Sequence, residues 1–301
     1  MGNEPTGPGR QPRHRRTDRR RAGLCAVALL LAGQATADEA DWLPGALGEL
    51  AATGPVQALE PGGLYGYMNG GADILLELGL ERLWVRRYAS GPGPAREELV
   101  AELYRLTDPQ AALGVLWLKG GRDAPGQALR RVGRHLLCAT WRPGAKLPEA
   151  ASGKLVALLA DHLPASKPAP SEKDLLKLLP AENRIEGSRR VVRGPLGLEG
   201  FYTLGEGDVL RLRRPGRAAT GLLARYRDAQ GREQSRLAIA YPTPEAARQA
   251  FLHLAGHLEP SLRIESREDA RLVFADNDGI RGTVTLAGRR LSILLAPEAL
   301  P

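Results

Sequence analysis

Two helix starts stand 135 residues apart in this chain, Asp108-Pro109-Gln110-Ala111-Ala112 and Thr243-Pro244-Glu245-Ala246-Ala247. In each, the Asp or Thr side chain can accept hydrogen bonds from orphan amides as N-cap, and the proline that follows needs no donor there. A strand, a turn and a second strand precede each start: one strand ends at Tyr88 and the next covers 98–106, then one ends at Tyr226 and the next covers 232–241. More strands follow each helix, joined at Val132-Gly133, Asp278-Gly279 and Gly288 by residues suited to hairpins. The layout β-β-α-β-β thus occurs twice, and the spacing predicts an α+β chain of two similar units with antiparallel sheets, each packed by a helix. In the second helix Ala247, Phe251, Leu254 and Leu258 share one face, which should lie on a sheet. A helix over 153–163, capped by Ser152, is predicted to close the first unit.

The first 37 residues stand outside this pattern. Seven arginines fall between 10 and 21, an apolar stretch runs from Ala22 to Ala32, and Ala35-Thr36-Ala37 precedes Asp38-Glu39. That is the plan of a secretory signal peptide cleaved after Ala37. The apolar stretch is too short for a bilayer core of about 30 Å, and no later run supplies a transmembrane span. Cys25 lies too early in it for lipid attachment. Arg20-Arg21 permits either the twin-arginine or the general secretory route. A periplasmic or secreted location is expected.

Export changes the electrostatics. The whole chain carries +8, but seven of its 42 basic and two of its 34 acidic residues lie in the leader, leaving about +3 on the remainder. The remaining basic residues are dispersed among acids, without the basic stripe and interleaved aromatics of a nucleic-acid surface, so no nucleic-acid partner is expected. Only Cys138 remains after cleavage, within Arg134 to Trp141, a run that reads as a buried strand. No internal disulfide is possible, and Cys138 reads as a small core residue. The stretch 164–171, rich in Pro and Ser, reads as a linker between a first unit, 38–163, and a second, 172–301.

The densest local pattern covers 64–88, LYGYMNGGADILLELGLERLWVRRY. Asn69-Gly70-Gly71 breaks the chain, Ala72 to Leu78 has helical spacing, Gly79 ends that helix, and Leu83 to Tyr88 is a strand. Asn69, the glycines and the start of the short helix could hold an anion, although Asp73 in its first turn opposes this. In a purely structural reading, Asn69-Gly70 makes a tight turn, Tyr65 and Tyr67 are core, and Asp73 favours the helix dipole. Tyr65, Tyr67, Asn69, Gly70 and Asp73 are the candidate ligand-binding residues.

The run Tyr65, Tyr67, Asn69, Gly70, Ala72 and Asp73 resembles the opening motif of a bacterial family of exported proteins of unassigned function, Tyr-x-Tyr-x-Asn-Gly-x-Ala-Asp/Glu. A second likeness lies at Leu179-Pro180-Ala181-Glu182, Gly187-Ser188 and Arg193-Gly194-Pro195-Leu196-Gly197-Leu198, similar to that family's central segment. Together they span nearly the whole chain after the leader. Leu78-Gly79-Leu80 departs from the pattern, where the family more often has aromatics. The resemblance implies export and architecture, and no reaction.

Other constellations stop short of a site. His253 and His257 have metal-ligand spacing on a helix but lack a third ligand, and they read as solvated. Asp276-Asn277-Asp278-Gly279 begins like a calcium loop, yet Thr285 occupies the place of the required Glu, and a hairpin turn explains it. Glu97-Glu98 lies beside a turn and reads as exposed. No metal or other cofactor is expected. The expected function is a non-catalytic envelope module that binds an unknown envelope protein or a small ligand. The alternative is a metal-independent hydrolase pairing Asp73 or Glu77 with His135 or His162.

Overall fold

The computed structural model describes residues 39–68, 70–91, 96–120, 125–162, 175–198, 200–213 and 219–297. The predicted leader and the linker at 164–171 lie outside them. The first sheet contains β1 (Ala46–Leu47), β2 (Leu50–Ala52), β3 (Gln57–Leu59), β4 (Leu80–Ala89), β5 (Glu98–Leu106), β6 (Gln127–Val132) and β7 (His135–Trp141). Its order is β1-β2-β4-β5-β7-β6, with β3 also on β4, and every pairing is antiparallel. The second contains β8 (Arg190–Val192), β9 (Thr220–Arg227), β10 (Glu233–Ala240), β11 (Arg263–Arg267), β12 (Arg271–Ala275), β13 (Ile280–Ala287) and β14 (Arg290–Pro297). It is also antiparallel throughout, in the order β11-β12-β13-β14-β10-β9-β8. The α+β reading holds, with one sheet built from each half of the chain.

The helices are α1 (Leu64–Tyr67), α2 (Ala72–Leu78), α3 (Pro109–Leu118), α4 (Lys146–His162) and α5 (Pro244–Gly256). Both predicted caps form: Asp108 accepts from the amides of Gln110 at 2.8 Å and Ala111 at 3.0 Å, and Thr243 accepts from that of Ala246 at 3.2 Å. None of the helices of the described residues is long and apolar enough to cross a membrane.

Side-chain alternation on the strands sets the layers. On β5, Leu99, Ala101 and Leu103 pack with Trp84, Tyr88 and the α4 residues Ala151, Leu155 and Leu159. Tyr104 and Leu106 point the other way, to α2 and α3. On the second sheet, Leu237 and Ile239 pack under Phe251 and Leu254 of α5. The opposite face, Leu222, Ala224, Tyr226 and Ala238, meets Leu179 and Trp117 of α3. The described part is therefore one stack in which α2 and α3 lie between the sheets while α4 and α5 cover the outsides, and the described residues form a single compact unit. This placement explains the composition of α3, whose residues Ala111 to Leu116 are all buried: a helix covered on both sides is apolar all round.

Two carboxylates tie the halves together. Glu77 of α2 accepts from the amides of Leu196 at 3.0 Å and Gly197 at 2.7 Å, in the 3-10 turn Pro195–Leu198, and from Arg213 at 2.5 Å. Asp108 adds a two-pronged ion pair with Arg193, at 2.6 and 2.7 Å, to its capping role. Burial opposes ionisation of Asp108, but Arg193 and the capped amides outweigh it and hold the carboxyl below its ordinary range.

Three expectations are corrected. The helix over 153–163 begins at Lys146, so Ser152 lies inside α4, where its hydroxyl donates to the Glu149 carbonyl at 2.7 Å instead of capping. Pro148 is accommodated because it lies in the first turn of α4, where its missing N–H is not needed. The short strands β1, β2, β3 and β8 and the exposed β11 carry too little apolar alternation to be recognised. The second unit consequently has four strands after its helix, whereas the first has two.

The duplication is visible in topology. In each half the last strand, β7 or β14, returns to lie beside the strand that precedes the helix, β5 or β10. A further local likeness emerges: Pro61-Gly62-Gly63-Leu64 and Pro195-Leu196-Gly197-Leu198 each follow a short strand paired to the long one, and each continues as x-Gly-aromatic, to Tyr67 and Phe201.

Candidate functional site

The 64–79 segment folds as the glycines require. Gly70 has φ +77° and Gly79, which ends α2, has φ +100°, both in the left-handed region. The predicted site residues then part company. Asn69 lies outside the described residues, and Gly70 is exposed at the turn. Tyr65 is 55% exposed rather than core, and its hydroxyl donates to Asp73 Oδ1 at 2.6 Å. That bond latches α1 to the first turn of α2 and raises the Tyr65 phenol. Tyr67 turns inward.

There the Tyr67 hydroxyl donates to Glu102 Oε1 at 2.8 Å. Glu102 Oε2 accepts from the Tyr104 hydroxyl at 2.6 Å and from Lys119 Nζ at 3.0 Å. The Lys119 ammonium also lies 4.9 Å from the centre of the Tyr104 ring. Cys138 sits opposite Glu102 in the β5 to β7 register and accepts from Gln127 Nε2 at 3.4 Å. Burial, and then the Glu102 charge, push the Tyr67 and Tyr104 phenols far upward; burial also raises the Cys138 thiol, against the pull of Lys119. Both phenols therefore stay protonated and donate to Glu102, and the thiol stays neutral.

An open cavity of about 550 Å³ lies above this cluster. Met68, Ile74, Leu75 and Leu118 form its apolar walls; Tyr67, Glu102 and Lys119 supply polar groups, and the exposed Arg87 supplies another. A larger hollow of about 950 Å³ lies between 96–98 and 140–145, and its Glu98 is exposed and paired with Arg96.

Equivalent positions in the second half are apolar. Val85 faces Glu102 and Glu102 faces Cys138 in the first sheet, as Leu223 faces Leu237 and Leu237 faces Ile293 in the second. Glu102, Tyr104 and Cys138 thus correspond to Leu237, Ile239 and Ile293. Counting from the helix-start prolines, Lys119 corresponds to Leu254, and from the Pro-x-Gly-Leu turn Tyr67 corresponds to Phe201. All five second-half residues join one hydrophobic cluster. Sequence reasoning passed over Glu102 and Lys119. One signal was available: Val100, Glu102, Tyr104 and Leu106 alternate along β5, and Glu102 is the one charge among these four.

The residues proposed for hydrolysis go to separate networks. Glu77 serves the Leu196 and Gly197 amides. His135 Nε2 lies 3.0 Å from Glu39 Oε1, with Arg105 donating to the other Glu39 oxygen at 2.6 Å and Trp42 edge-on at 5.3 Å. The side chain of His162 is outside the described residues. His253 and His257 stack at 4.0 Å, and among the described residues no three His, Cys, Asp or Glu side chains group to hold a metal. Asp276 accepts from the amides of Asp278 and Ile280, closing the β12 to β13 hairpin as expected.

Burial holds the His135 imidazole below its ordinary pKa, and Glu39 offsets this only in part. The unfolded chain therefore takes up the proton first as pH falls below about 6.5, and stability declines from there until the folded ring is also protonated. Calorimetry should show Tm falling between pH 7 and pH 5, with a shallower fall in His135→Gln.

No family model matches the chain, and no curated protein matches it. Among solved structures, the di-domain ARO/CYC BexL from the BE-7585A biosynthetic pathway aligns over 83% of this chain and 84% of its own, at 10% identity and a TM-score of 0.11, and so carries no argument about fold or function.

Proposed function

We propose that this protein is an exported, non-catalytic module that binds a small ligand in the cavity above Glu102 and Lys119. The observation that carries the reading is the contrast between the halves: five positions that form a plain apolar core around Leu237 hold a carboxylate, an ammonium, two phenols and a thiol in the first half. Burying such groups costs stability that well-packed apolar residues would keep, so a second role accounts for them better than packing does. Binding is favoured over catalysis because Glu102 uses both oxygens as acceptors, and the phenols and the thiol are all held in their protonated forms. Export rests on the leader pattern of residues 1–37 and on the resemblance carried by Tyr65 to Asp73.

Native mass spectrometry of the protein purified from its own cell envelope tests this. The expected result is a bound small molecule on the wild type that is missing from the Glu102→Leu/Lys119→Leu variant. A bare polypeptide mass for both proteins overturns the reading.

A further inference from the structure

We infer that the ligand of this cavity is an amphipathic monoanion, such as a medium-chain carboxylate, with its head between Arg87 and Lys119 and its hydrocarbon body along Met68, Ile74, Leu75 and Leu118. The inference rests on the ligand-binding reading above and adds the chemistry of the occupant.

Charge decides the head group. The cavity borders one carboxylate and two cations, Glu102 against Lys119 and Arg87. Glu102 already receives Tyr67 on one oxygen and Tyr104 and Lys119 on the other, so little of its acceptor capacity is left for a cationic ligand. Lys119 donates one of its three N–H groups to Glu102 as a hydrogen bond and remains an ammonium with two more to offer. Arg87 has no carboxylate partner among the described residues, so its planar fork is free to take an anion in two parallel hydrogen bonds. One negative charge neutralises the remaining positive one, whereas a cation would meet two like charges.

The walls decide the body. Four apolar side chains, Met68 at the end of α1, Ile74 and Leu75 of α2 and Leu118 of α3, border the cavity, and Leu118 is 45% exposed. A hydrocarbon chain laid there would remove this surface from water, which favours binding. A volume of about 550 Å³ is within the ordinary range for small-ligand sites and accommodates a chain of about ten carbons. The second half lacks the charged groups at its equivalent positions, so one site per chain is expected.

The test is calorimetric titration of the full mature chain with decanoate, below its micellar concentration, beside decanol and decyltrimethylammonium. Decanoate is expected to bind one per chain and at least about tenfold more tightly than either comparison. Arg87→Gln, an exposed change, should weaken decanoate about tenfold, and Leu118→Asp should abolish binding. Decanol or the cation binding as tightly as decanoate, or Arg87→Gln binding decanoate unchanged, overturns the assignment. So does absence of decanoate binding. If native mass spectrometry still shows an adduct that depends on Glu102 and Lys119, binding at the site stands and only the ligand class falls; if it shows none, both fall. Co-sedimentation with phosphatidylglycerol vesicles that Arg87→Gln abolishes would place the anion on a membrane surface and also overturn a free ligand.

Discussion

Replacing Glu77 with alanine lowers the stability of the whole unit by about 3 kcal/mol, a fall in Tm of roughly 6 to 12 °C for a chain of this size. The Glu77 side chain is 1% exposed and supplies the acceptors for the Leu196 and Gly197 amides. Alanine leaves those two donors buried beside an empty space, and each orphaned group costs about 1 to 3 kcal/mol. The geometry around the carboxylate has no slack, because a methyl group added at Gly194 would overlap it. Arg213→Ala removes the third partner from a 55% exposed position and should cost under about 1 kcal/mol. Thermal and urea melts of the two variants check the ordering. Equal losses would mean that the ion pair rather than the amide capping holds α2 to the second half.

The second large effect separates a functional cluster from a structural one. Glu102→Leu alone is expected to cost about 3 kcal/mol, because it strands the Tyr67 and Tyr104 hydroxyls and leaves the Lys119 ammonium without its carboxylate. Adding Lys119→Leu, Tyr67→Phe and Tyr104→Phe, which brings the site close to the apolar set in the second half, is expected to recover most of that loss. Urea denaturation of the single and combined variants measures the coupling. Recovery accompanied by loss of the co-purifying ligand shows that the cluster serves binding. A combined variant no more stable than Glu102→Leu would show that the polar groups are needed for packing.

Much of the scaffold was legible because its signals are local. Asp108-Pro109 and Thr243-Pro244 place a side-chain acceptor and a donor-free residue next to each other, and that chemistry favours a helix start through neighbours alone. Gly79 ends α2 because the left-handed conformation suits it, and Asp276 turns its hairpin through amides only a few residues away. The α4 start was misplaced because Ser152 has the chemistry of a cap, while the true start at Lys146 carries a proline that reads equally well as a break.

The candidate site was half legible. Of the Tyr65 to Asp73 pattern, Tyr67 borders the proposed cavity and bonds Glu102. Tyr65 and Asp73 instead satisfy each other across a turn. Glu102, Lys119 and Arg87 come from two strands and a helix end, and their convergence depends on strand register, which fixes the face each side chain takes. The sequence by itself determined where α2, α3 and α5 begin, which of the long strands alternate and that the pattern repeats, because those features arise between residues a few positions apart. Only the tertiary structure decided that α3 would be enclosed between two sheets, that Glu77 would cap a turn 119 residues away, and that one half would hold charges where the other holds leucines. Those outcomes depend on burial and pairing across the chain, where the cost of a charge is set by the partners that folding brings to it.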